Sequence, residues 1–183
     1  MKKIFIDGGA RIGESIDYFL DKRKDLIGCD VYFFECNSDH LKDLEKIKKT
    51  NKNYNFFIKN EAIWIENCEK DFYISIDRWG DLGCTLDKDK TEKLDITNPR
   101  KVKTIDISKF IDTIDSNSYI ILKLDIEGSE YEVIEHLINT KKIERIKELH
   151  VEWHDHFFIG KKNSLELKNK LKNYNIILNY EWI

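Results

Sequence analysis

The chain has no apolar run approaching the roughly 20 residues needed to cross a bilayer, no C-x-x-C pair among its four cysteines, and no large excess of either charge. Each absence sets a class of function aside. Without a long apolar run there is no candidate membrane-spanning helix, and the opening Met1-Lys2-Lys3-Ile4-Phe5-Ile6 meets Asp7 well before it makes a secretory signal core. Cys29, Cys36, Cys68 and Cys84 fit none of the usual zinc spacings. They read as reduced thiols, and the sequence predicts a cytoplasmic protein. A net charge of −3 supplies no field to draw nucleic acid or an anionic membrane surface, so neither is expected as a partner. The lysines mix with acids along helix faces, the pattern of solvated surface. Proline is limited to Pro99, and no repeat, low-complexity tract or linker interrupts the 183 residues. That length suits one domain over residues 1–183.

What is present is a recurring order of strand, turn and helix. Ile120-Ile121-Leu122-Lys123-Leu124 has the pattern of a strand buried on both faces of a parallel sheet. Asp125 and Glu127 end it abruptly. Gly128 follows, then Ser129 with Glu132 three residues on, a capping box, and Tyr131, Val133, Ile134, Leu137 and Ile138 recur at helical spacing. Two carboxylates at the mouth of a buried strand point to a ligand, metal or base role.

The same order opens the chain: a strand over Lys3–Asp7, the turn Gly8-Gly9-Ala10-Arg11-Ile12-Gly13, and a helix face of Ile12, Ile16, Phe19 and Leu20. Val31–Glu35 is a second strand. Its last residue lies 22 positions after Gly13 (35 − 13), about where nucleoside-binding α/β folds place an acid for the ribose hydroxyls. Asn37 and Ser38 are candidate caps for a helix carrying Leu41, Leu44 and Ile47.

Phe56–Ile65 reads as a third strand carrying Asn60-Glu61-Ala62, and Asp71–Ile76 alternates as its hairpin partner. Trp79–Arg100 is a long connection whose glycines at 80 and 83 suit an acceptor-side lid. Val102–Ile105 is a strand and Asp106 the N-cap of a short helix. Glu148–Trp153 is a strand followed by His154, Asp155 and His156, Ser164–Tyr174 a helix and Ile176–Ile183 a last strand. The predicted fold is α/β, a doubly wound Rossmann-like, mostly parallel sheet with helices on both faces. In such a sheet the strand ends meet at one edge. That collects Asp7/Gly8/Gly9, Glu35, Glu61/Ala62, Asp125/Glu127 and Glu152/His154.

Asp7-x-Gly9-x-x-x-Gly13, the strand-end Glu35, Asn60-Glu61-Ala62 and Lys123-x-Asp125-x-Glu127-Gly128-x-Glu130 resemble the FkbM-type class I S-adenosylmethionine-dependent methyltransferases. The resemblance covers nearly the whole chain. It implies S-adenosylmethionine as donor and usually methyl transfer to an oxygen. By the same resemblance Asp7, Gly9 and Gly13 line the methionine side, with Gly8 and Asn37 also counted among the donor-binding residues. Glu35 holds the ribose, Glu61 and Ala62 flank the adenine, and Asp125 sits beside the donor methyl. Arg11 stands where family members commonly have Asn, and Cys36 where they commonly have Pro.

The acids suit this chemistry. An electrophilic methyl donor requires the acceptor oxygen to be held in line and its proton removed. Asp125, Glu127 and His154 are the candidate catalytic residues. Alternatively a hard divalent cation on Asp125, Glu127 or Glu152 lowers the pKa of the hydroxyl, while His154 would favour a softer metal. The expected activity is O-methylation of a sugar, glycan or other hydroxylated small molecule. Two alternatives stand beside it: a catalytically silent nucleoside-binding module and an NAD-dependent oxidoreductase. The second is disfavoured because the first turn lacks a clean G-x-G-x-x-G and hydride transfer needs no second acidic turn.

Overall fold

Branched and aromatic runs build the centre of the molecule. A computed structural model describes residues 1–76 and 80–180. Its strands are β1 (Lys3–Gly8), β2 (Asp30–Phe34), β3 (Asn55–Lys59), β4 (Ala62–Trp64), β5 (Glu69–Phe72), β6 (Arg100–Asp106), β7 (Tyr119–Leu124), β8 (Ile146–Val151) and β9 (Ile177–Asn179). Its helices are α1 (Ser15–Tyr18), α2 (Leu41–Thr50), α3 (Ile107–Asp112), α4 (Glu130–Asn139) and α5 (Leu165–Leu171).

Six strands form one sheet in the order β3-β2-β1-β7-β8-β9, and every pairing in it is parallel. Successive residues of a strand face opposite sides, and here both sides are packed. Ile4, Ile6, Ile120 and Leu122 join α3, α4 and α5 in one core, while Phe5 and Ile121 join Ile16 of α1 and Leu44 of α2 in another. This is the doubly wound Rossmann-like arrangement that the sequence predicts. The order reverses between β1 and β7, which makes the carboxyl ends of those strands the switch point at which such sheets bind ligands.

The periphery departs from expectation. Phe56–Ile65 is not one strand. β3 stops at Lys59, and the Asn60 amide donates to the Glu35 and Cys36 carbonyls at 2.9 and 3.2 Å, tying down the exit from the main sheet. β4 belongs to a second sheet of order β4-β6-β5, parallel to β6. β5 pairs antiparallel with β6, so the expected hairpin is split by β6 running between its two arms. Beyond β5, Tyr73 and Ser75 make single bridges to Thr85 and Leu94. The first helix is a single turn, α1, continued by a 3-10 turn at Leu20–Lys22. Of the last predicted strand, Ile177–Asn179 forms, and residues 181–183 lie outside the described residues. Among the described residues no helix is long and apolar enough to cross a membrane.

Candidate active site

Two turns meet at the switch point. Gly9 follows β1 with φ +77°, and a Cβ there would lie 1.8 Å from the Asp125 carbonyl oxygen. Only glycine lets the turns after β1 and β7 approach this closely. Arg11 also has positive φ, 46°, a conformation in which Asn is several-fold enriched over most residues with a Cβ. Its backbone N–H donates to Glu35 Oε2 at 2.7 Å, and the Asn37 N–H donates to Glu35 Oε1 at 2.6 Å. Burial pushes the Glu35 carboxyl up from its ordinary value, and these two amides oppose it. A carboxylate offers about four lone-pair sites, so capacity for further donors remains. The Asn37 side chain accepts from the Asp39 N–H, the cap the sequence predicts.

On the other side of the switch point, Lys123 is buried within β7. Its ammonium donates to the Gly9 carbonyl at 2.8 Å and pairs with Asp7 Oδ1 at 3.1 Å and Asp125 Oδ2 at 3.4 Å. Burial opposes the cation, yet Asp7 and Asp125 raise its pKa above the ordinary lysine value. The capping box expected from Ser129 and Glu132 does not form, since the Ser129 side chain makes no cap bond. Glu130 replaces it, accepting from the Ile126 and Gly128 N–H groups at 2.7 and 2.9 Å. With Glu127 at φ 56°, the turn folds those amides back onto the first residue of α4. Glu132 pairs with Lys162 instead.

His154, after β8, is 3% exposed. Its Nδ1 lies 3.1 Å from Glu130 Oε1, and its Nε2 lies 3.4 Å from Glu127 Oε2 and 3.8 Å from Asp125 Oδ1. Burial works against the charged imidazole, but Glu130 and Glu127 overcome it and push the pKa up to about 11. Glu127 shows the reverse balance. Burial would raise it, and His154 and Lys90 hold it below its usual value. Lys90 is itself buried, 2.6 Å from Glu127 Oε2 and paired with Glu92. Asp125 is pushed up by burial, with Lys123 opposing and Glu127 assisting. Glu152 is pushed up by burial and then by Asp125.

Between these turns lies a cavity of about 350 Å³. The carboxylates of Glu14, Glu35, Asp81, Asp125, Glu127 and Glu152 outnumber the permanent cations Arg11 and Lys123 in its wall. The methyltransferase FkbM domain matches residues 7–177. The chain belongs to that family, and is a methyltransferase. No curated protein matches it, and no solved structure does.

Of the residues singled out in sequence, this FkbM-domain methyltransferase brings Gly9, Glu35, Asn37, Ala62, Asp125, Glu127 and Glu152 to the cavity wall. Asp7 lies beneath it, fully buried and accepting from the Ser15 hydroxyl. Gly8, Glu61 and His154 are not in the wall. Gly13 faces α2, where a Cβ would meet Ile47 Cδ1 at 2.5 Å, and its φ of +86° adds a backbone requirement for glycine. Sequence reasoning missed Arg11, His40 and Asp81 as wall residues. Asp81 Oδ2 lies 3.3 Å from both Arg11 Nε and His40 Nε2, a contact across the fold with no local spacing to announce it.

The expected lid is a wall where it is described, and Trp79 lies outside the described residues. Thr85 donates to the Glu127 carbonyl at 2.7 Å, Lys90 to the Gly83 carbonyl at 3.0 Å, and the Thr91 N–H to the Phe157 carbonyl at 2.9 Å. Ligand atoms of Asp125, Glu127 and His154 all lie within 4.8 Å of one another, and Glu152 is not part of that group. Two carboxylates and an imidazole suit Mn²⁺ or Zn²⁺ better than Mg²⁺, with Glu130 on Nδ1 as the orienting carboxylate such sites use. A protonated His154 fills the same position with a positive charge of its own.

Proposed function

We propose that this methyltransferase, acting as one domain, uses S-adenosylmethionine to methylate a hydroxyl oxygen of a sugar, glycan or other hydroxylated small molecule. The observation that carries the reading is the carboxylate-rich cavity at the switch point of the sheet. When bound, S-adenosylmethionine supplies an electrophilic methyl on a cationic sulfonium, and an acidic wall favours a cation. The volume falls in the usual range for small-molecule sites. Glu35, pinned by two amides, is preorganised to accept ribose hydroxyls. Gly9 keeps the first turn free of a side chain, and Asn37 and Ala62 bound the nucleoside side.

Asp125 is the proton acceptor in this reading. Its carboxyl is raised by burial toward the working pH, as a general base requires, and Glu152 beside it is raised in the same way. His154 is a positioning residue: with its proton retained at neutral pH, it holds Glu127 and Asp125 rather than accepting a proton. The close grouping of Asp125, Glu127 and His154 favours one second reading, a divalent metal in place of the imidazolium proton.

Titration calorimetry with S-adenosylhomocysteine and NAD, followed by methyl-transfer assays on a sugar panel with and without chelator, tests these points. Binding of S-adenosylhomocysteine but not NAD, with chelator-insensitive transfer, is expected. Transfer lost on chelation and restored by Mn²⁺ selects the metal. Binding without transfer to any hydroxyl leaves a silent nucleoside-binding module, and absence of binding removes the donor site from this cavity.

A further inference from the structure

A second cavity of about 310 Å³ adjoins the first, and Leu86 and Ser129 line both. Its character is opposite. Lys70, Lys88 and Lys162 line it against the one carboxylate of Asp87, and Trp64 and Tyr73 supply aromatic surface. Lys162 is committed to the frame. Its ammonium lies 2.7 Å from the Gly128 carbonyl and 2.8 Å from each of Asp87 and Glu132.

Lys70 and Lys88 are not committed. Lys70 rests its ammonium over the Trp64 ring, 4.3 Å from the centroid, and neither lysine forms an ion pair with any described residue. Two uncompensated ammonium groups on the rim of one concave, aromatic-walled space are the chemistry that receives an anion attached to an apolar ring face. Ser129 opens the ten-residue α4, so the positive end of that helix dipole adds to the same field.

We propose that this cavity seats an anionic group of the methyl acceptor, which makes the acceptor a sugar bearing a phosphate or a carboxylate. The proposal rests on the methyl-transfer reading and narrows it. The shared Leu86–Ser129 wall puts the acceptor's charged end on the lysines while its hydroxyl reaches Asp125 and Glu152. Opposite charge in the two spaces keeps each ligand out of the other's place: the acidic wall repels an anionic acceptor, and the lysines repel a sulfonium.

Ligand-observed NMR with glucose, glucose 6-phosphate and glucuronate at low ionic strength, in the presence of S-adenosylhomocysteine, tests it. At least one anionic sugar is expected to bind about tenfold or more tightly than glucose, the scale of a charge-assisted hydrogen bond. Whichever of the two binds tighter identifies phosphate or carboxylate as the group. The Lys70→Glu/Lys88→Glu double variant, with Lys70 on the edge strand β5 of the small sheet and Lys88 in the segment beyond it, is expected to lose that preference and keep S-adenosylhomocysteine binding. Equal binding of all three sugars, or a preference that survives in the double variant, overturns the proposal. Those results with S-adenosylhomocysteine still bound overturn it alone, whereas loss of S-adenosylhomocysteine binding by the native chain overturns the donor reading.

Discussion

The acidic cavity and the basic one differ in construction as well as in charge. The acidic wall is built mainly on the carboxyl ends of β1, β2, β7 and β8, with Glu14 and Asp81 added from flanking segments, and its strand-end groups are locked to one another and to His154 outside the wall. Glu35 is held by two backbone amides, Lys123 by Gly9, Asp7 and Asp125, and His154 by three carboxylates. The basic wall comes mostly from the small second sheet and the segment after it, with Ser129 and Lys162 added from the far side, and two of its three lysines, Lys70 and Lys88, form no ion pair with a described residue. Locked groups suit a ligand held in one fixed pose, and loosely held ones suit a ligand that settles as it binds. A rigid sheet that positions the strand-end groups leaves the peripheral segments free to set selectivity.

Four measurements break or sharpen that contrast. The largest effect is expected at Asp125. Asp125→Asn should lower turnover by about 10²–10⁴-fold, the range for a positioned base, with much less change in S-adenosylhomocysteine affinity. Full turnover in that variant would show that the acidic wall only binds.

Next comes His154→Gln, which strands carboxylates built around a cation and should cost about 3–5 kcal/mol of stability. Its pH dependence has a definite sign. The folded pKa is raised from 6.5 to about 11, so the contribution is complete below about pH 6.5 and is lost as pH rises toward 11. The native melting temperature should therefore fall between about pH 7 and 10, and the His154→Gln curve should be flatter there. Parallel curves would mean that His154 is neutral in the native state.

A smaller change is expected at Glu35. Glu35→Ala should weaken S-adenosylhomocysteine by about 1.5–3 kcal/mol, the value of hydrogen bonds to a charged group. Unchanged affinity in calorimetry would move the ribose elsewhere. The smallest effect is screening. Raising salt from about 50 to about 200 mM should weaken an anionic sugar a few-fold, because Lys88 is exposed and Lys70 half-exposed, and barely touch the buried donor contacts. Equal salt sensitivity at both cavities would erase the distinction between locked and open walls.

The contrast also explains what can be read without coordinates. Glu35, Asp125 and Glu152 are legible because each interrupts or ends a buried apolar run, and such runs fix strand direction and sheet edge together. Asp7 is legible as a strand-end acid, but its use is not: that it answers Lys123 depends on two strands pairing across more than a hundred residues. The capping box misleads by two positions. Ser129 and Glu132 match the local pattern, but the left-handed turn at Glu127 hands the amides to Glu130; Gly128 signals a turn there without saying which acid closes it. Lys70, Lys88 and Lys162 look like every other solvated lysine in the chain. Their convergence depends on long-range contacts, among them the insertion of β6 between β4 and β5, a pairing that the uninterrupted appearance of Phe56–Ile65 conceals.

The central position of β1 has a consequence for synthesis. β1 is flanked by β2 on one side and by β7 on the other, in register from Lys3 opposite Tyr119 to Gly8 opposite Leu124. On the ribosome, therefore, β1 waits for roughly ten seconds, at about 5–20 residues per second, before its second neighbour exists. Throughout that interval an apolar strand offers an unpaired edge to any chain nearby. The long relative contact order this imposes makes folding slow compared with a helical bundle of equal length. A chain cut short before residue 119 leaves that edge of β1 without its partner, a template for pairing with another chain.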